Sequence, residues 1–129
     1  MNHEDYCSYE LSKVLKACGF DEPCDHYKVA IPDTLHEVWD KEEQRYHLEE
    51  EYEYYPKITL WHAQKWLREK WDWHIIVEPQ MWDGLTYEFK LWHKFRGYEN
   101  ANRGFYFSSY ERALSAGIAA ALELIKKGE

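Results

Sequence analysis

The C-terminal segment constrains the fold more than any other part of the chain. Tyr110, Ala113, Leu114, Gly117, Ile118, Ala121, Leu122 and Ile125 recur at intervals of three and four residues. This is the apolar stripe of an amphipathic helix, which must be buried against another element. Ser108 with Glu111 three residues later has the form of a capping box, and Gly128 supplies the stop. Phe105 and Phe107 read as the start of a strand leading directly into that helix. Gly117 lies on the apolar face, where glycine costs about 1 kcal/mol of helix propensity against alanine. Close approach of the helix to a sheet is the expected compensation.

The sheet is expected just upstream. Residues 73–77 read as a strand with Ile75 and Val77 on one face, and His74 and Ile76 on the other. In 86–95, Tyr87, Phe89 and Leu91 alternate with Glu88, Lys90 and Trp92. Asp83-Gly84 between them is a hairpin signal, because a type I′ turn needs positive φ at both central positions. Pro79 lacks a donor and belongs at an edge, at a bulge or outside the ladder. Residues 97–104, with Asn100-Ala101-Asn102, read as a loop. The three strands expected between Trp73 and Phe107 form an antiparallel meander.

Toward the N-terminus, Leu11, Val14, Leu15 and Cys18 define a helix over 8–18, with Gly19 as its stop and Phe20 placed to fold back onto the last turn. Asp21-Glu22-Pro23 reads as a turn. Tyr27, Val29 and Ile31 alternate in a short strand closed by Pro32. Thr59 is a good N-cap, with Pro56 placed to end what precedes it. Leu60, Ala63, Trp66, Leu67 and Trp71 then share one arc of a helix, with Trp61, Lys65 and Arg68 outside it. Residues 33–55 support two readings. Leu35, Val38 and Trp39 have helical spacing and would precede a strand through Tyr46, Leu48, Tyr52, Tyr54 and Tyr55; alternatively the segment is a long acidic excursion. The expected fold is α+β, in one domain over 1–129. Its antiparallel sheet would hold the C-terminal meander and one or two further strands, with helices mainly on one face.

Aromatic residues make up 18% of the 129 residues, so a small core can be built from few side chains, with some rings left at the surface. No run approaches the roughly 18 apolar residues of a membrane helix. The polar start lacks the form of a secretory signal, and three cysteines do not make a complete disulfide framework. The expectation is a cytoplasmic protein with no membrane partner. Its charge of -8 is uneven. Residues 33–53 hold nine acids against two bases, a net of -7, whereas 57–129 hold nine acids against eleven bases.

Three stretches carry a family likeness: 8–24, the run Ile58-Thr59-Leu60-Trp61-His62-Ala63-Gln64-Lys65-Trp66-Leu67-Arg68, and 109–118. They resemble short uncharacterised proteins encoded by gut Bacteroides genomes and their phages. The likeness spans about half the chain and implies a phage or mobile-element origin. It assigns no activity and no functional residues.

The chemistry-bearing residue types form no complete motif. Cys18, Cys24 and His26 lie near Asp25, but their spacing is wide for zinc and a fourth ligand is missing nearby, so no metal or cofactor is expected. His36-Glu37 opens like a metalloprotease helix, yet Asp40 occupies the place of the second histidine. His74 and His93 would be neighbours if their strands pair, without a third group to complete a catalytic set.

Two surfaces are therefore the functional candidates. The first is an acidic aromatic surface comprising Trp39, Glu49, Glu50, Glu51, Tyr52, Glu53 and Tyr54, with exposed Trp61, suited to a protein partner with a basic surface. The reading that follows is a non-enzymatic accessory protein. The alternative is the outer face of the meander, where Lys90, Trp92, Lys94, Arg96 and Tyr106 interleave rings and cations, as in sites for single-stranded nucleic acid or a small ligand. The overall negative charge disfavours phosphate binding there.

Overall fold

The computed structural model describes residues 3–81, 84–99 and 106–128. It is an α+β fold. A one-turn helix at His3–Asp5 precedes α1 (Tyr9–Ala17), β1 (Asp25–Ala30), β2 (His36–Asp40), β3 (Arg45–Glu49), β4 (Tyr52–Lys57), α2 (Leu60–Trp71), β5 (Trp73–Met81), β6 (Leu85–His93), β7 (Gly97–Glu99) and α3 (Tyr110–Lys126). The pairing is antiparallel throughout these strands: β1 with β4, β2 with β3, and β5-β6-β7 in order. No helix among the described residues is long and apolar enough to cross a membrane.

The core lies between α3 and the inner face of the meander. Leu114, Ile118 and Leu122 are fully buried, and removal of each from water contributes about 1.5–3 kcal/mol. They meet Trp73, Ile75, Phe89 and Leu91. α2 packs on α3 and β5 through Leu60, Ala63, Trp66 and Leu67, while α1 lies on β4. The helix caps follow the sequence closely. Ser8 Oγ accepts from the Leu11 N–H at 3.1 Å, and Thr59 Oγ1 accepts from His62 at 3.1 Å. After α1, the Phe20 N–H reaches back to the Leu15 carbonyl at 3.0 Å, and its ring packs on Trp66.

Several local expectations need correction. The N-cap of α3 is Ser109, which accepts from the Arg112 N–H; Ser108 instead accepts from the Arg112 guanidinium. Adjacent serines allow either frame, and the buried stripe selects the later one. Tyr110 is exposed rather than part of that stripe. The third meander strand is Gly97–Glu99, inside the expected loop, while Phe107 joins β6 by an isolated bridge to Tyr87. The expected Phe105 pairing and the Asp83 turn fall on residues outside those described. Met81 pairs with Leu85, so three residues connect that hairpin rather than two.

Two prolines sit inside strands, and ladder parity explains both. Phe107 exchanges both backbone bonds with Tyr87, so Tyr87 has none left for its other neighbour, Pro79. Pro79 therefore occupies a non-hydrogen-bonded position on the edge strand. Pro56 does not end the segment before α2 but lies within β4 opposite His26. The bond from the Ile31 N–H to the Glu51 carbonyl makes the odd-numbered positions of β4 the bonded ones, so Pro56 removes no ladder donor.

Residues 33–55 contain no helix. Leu35, Val38 and Trp39 belong to an extended segment, and β2 and β3 form a hairpin. Its turn has no glycine. Asp40 Oδ1 accepts from the N–H groups of Glu42 and Glu43 at 2.9 and 3.2 Å, and Gln44 takes a φ of 53°. The hairpin continues the β1–β4 pair through an irregular joint. There Thr34 Oγ1 donates to the Ile31 carbonyl at 2.7 Å and accepts from the Glu51 N–H at 2.9 Å. The result is a two-stranded ribbon, or arm, anchored at its base by α1 and packed chiefly on itself toward its tip.

Candidate functional site

Strand alternation sorts the arm's side chains. Trp39 pairs with Tyr46, and Glu37 with Leu48, so these four share one face of the tip hairpin. The rings of Trp39 and Tyr46 meet edge to face at 5.0 Å. Neither is covered from outside: Trp39 is 47% exposed, and Tyr46 and Leu48 are each 63% exposed. Beside them, Leu35, Leu48 and Tyr52 line a shallow depression with Glu49 and Glu50. At the base, Tyr27 and Tyr55 turn inward onto Tyr9, whereas Tyr52 and Tyr54 occupy the opposite face and are exposed. A hydrogen bond to the Glu53 carboxylate pushes the Tyr55 phenol up to about 12.

The arm's carboxylates are largely uncompensated. Glu43 pairs with Arg45 at 2.6 Å and Glu49 with His47 at 2.7 Å. Among the described residues, no Lys or Arg lies within ion-pair distance of Glu37, Glu50 or Glu51. An unpaired carboxylate on an exposed ribbon keeps its hydration and its outward field, so it remains available to a cation arriving on a partner.

The meander's outer face has the opposite character. Lys90 pairs with Glu78 at 3.2 Å, Lys94 with Asp72 at 3.5 Å and Arg96 with Glu99 at 2.9 Å. The Arg96 guanidinium lies over the Trp73 ring at 5.3 Å, and Trp73 belongs to the inner face, so Arg96 does not join Lys90 and Trp92 on the outer face as expected. Trp92 is half-buried against His74, while Tyr98 and Tyr106 are exposed. Each of these cations already has a carboxylate partner. The bond and charge of Glu78 outweigh the lowering effect of burial and raise the Lys90 ammonium above its usual range.

Sequence reasoning gathered Trp39, Tyr52, Tyr54 and the acids Glu49, Glu50, Glu51 and Glu53, and the structure places all of them on the arm. Trp61 is exposed, but it sits on α2, which packs on α3 and β5 rather than on the arm. Tyr46, another aromatic of the acidic segment, completes the ring face, and Leu35 and Leu48 are the site residues that sequence reasoning misses. The helical spacing of Leu35, Val38 and Trp39 hides their alternation, which pairs them with the strand of Tyr46 and Leu48.

His74 and His93 point to opposite faces, since His74 is opposite Trp92 and His93 opposite Trp73. His74 bonds Asp72 at 3.1 Å, and its ring meets the Trp92 ring edge to face at 5.2 Å. Burial raises the Asp72 carboxyl, but the His74 bond and the Lys94 charge outweigh it and hold the group below its usual range. The pair closes the α2–β5 junction, where Asp72 takes a left-handed φ of 60°. No group of three His, Cys, Asp or Glu residues suited to a metal ion occurs among the described residues.

No protein-family model matches the chain, and no curated protein or solved structure matches it. The functional reading therefore rests on the arm.

Proposed function

We propose that this is a non-enzymatic accessory protein, of the phage or mobile-element origin that the sequence resemblance implies, that captures a protein partner with a basic surface through its acidic aromatic arm. One observation carries the reading: unpaired carboxylates border an exposed ring face on an element that packs chiefly on itself. Trp and Tyr supply anchor area at low entropic cost, and surrounding acids steer a cationic surface into place. The meander is the weaker candidate, because a phosphate would have to displace Glu78, Asp72 and Glu99 from their cations.

Replacing Glu49, Glu50, Glu51 and Glu53 together with Gln tests this. Partner retention in a pull-down should fall for the variant, and wild-type retention should weaken as salt rises. Equal retention by both proteins at low salt would remove the basis for the proposal.

A further inference from the structure

Resting on that reading, we infer that the depression at the arm's joint accepts an arginine side chain of the partner. The depression is lined by Leu35, Leu48 and Tyr52 together with Glu49 and Glu50. A side chain that fits must combine an apolar stem with a cationic head, which leaves Lys and Arg. Arginine fits better for two reasons. Its guanidinium is weakly hydrated and planar, so it gives up less water on entering a recess of mixed lining and can lie flat on a ring. It also forms paired bonds to a carboxylate, whereas an ammonium acts as a point charge.

The occupant's charge is set by the surroundings. Glu50 has no cation partner among the described residues, and Glu49 engages His47 through Oε1. The Tyr52 ring already attracts a cation of its own chain: the Lys28 ammonium lies over it at 4.0 Å. Lys28 is not part of the lining of the depression, so it does not occupy the recess. A second copy of this chain is a poor occupant, because residues 33–53 with a net of -7 would face their own like charge.

Fluorescein-labelled octa-arginine and octa-lysine, titrated by fluorescence polarisation at low salt, test the assignment. Octa-arginine should bind about five-fold more tightly than octa-lysine to the wild type. Glu50→Gln should weaken octa-arginine about ten-fold and abolish the preference, whereas Glu42→Gln, which removes the same charge from the tip turn, should cost less than about two-fold. Equal affinity for the two peptides, with Glu50→Gln and Glu42→Gln indistinguishable, would overturn the arginine recess while leaving the arm as a diffuse acidic surface. Failure of the wild type to bind either peptide would overturn both readings.

Discussion

A β-carbon placed on Gly117 would stand 2.6 Å from Cγ2 of Ile75 and 3.3 Å from the Phe89 ring. The helix that fixes the fold thus rests on the meander by its backbone, which explains a glycine at the centre of an apolar stripe. Gly117→Ala should gain about 1 kcal/mol of helix propensity but lose about 1–3 kcal/mol to overpacking, for a net destabilisation in urea melts. Adding Ile75→Ala, which deletes the clashing methyl, should make the second loss smaller than Ile75→Ala causes alone. A more stable Gly117→Ala single variant would contradict the close approach.

The Cys7 thiol is fully buried, pointing at the carbonyl of the α2 N-cap Thr59 at 3.8 Å, and burial pushes it up to about 12. Its raised value makes a contribution to stability that is complete below the unfolded value of 9.0. As pH rises from there toward about 12, the unfolded chain binds fewer protons than the folded one, and the contribution is lost at up to about 1.4 kcal/mol per pH unit. Urea midpoints measured between pH 8 and pH 10.5 should therefore decline more steeply for the wild type than for Cys7→Ala. Parallel declines would show that the thiol titrates normally in the folded protein.

The arm and the meander should open independently. β2 and β3 pack chiefly on each other, whereas β5 and β6 lie under α3. Amides of the tip hairpin should exchange through local openings, at rates insensitive to core substitutions such as Leu114→Ala. Amides of Ile76 and Lys90, a bonded pair by the ladder parity that places Pro79, should accelerate with the same substitution. Protection of the tip hairpin equal to that of β5 would show that the arm belongs to the global folding unit.

Regular, one-sided burial is what made much of this fold legible. α3, α2, β5 and β6 each bury one face, so their residues carry a clear period, and Ser8, Thr59 and Gly19 mark helix ends by residue type. The tip hairpin buries neither face well, so Trp39, Tyr46 and Leu48 lack the inside-outside contrast that reveals a strand. Its turn is closed by an Asp40 side chain and a positive-φ Gln44 rather than by Asn-Gly or Asp-Gly, and so gave no hairpin signal. β7 spans three residues, too few to show alternation. For the candidate site, the charge and the rings could be read in advance. Their assembly on one ribbon, the depression at its joint and the separation of Trp61 depend on strand register and packing.

The central claim is that the partner sits on the arm, and site-specific photocrosslinking tests it most directly. A benzophenone amino acid placed at Tyr46 on the tip face should yield a covalent adduct with the partner that salt suppresses. The same probe at Tyr98, on the exposed outer face of the meander, should yield none. An adduct from Tyr98 with none from Tyr46 would place the interaction on the meander and contradict the account.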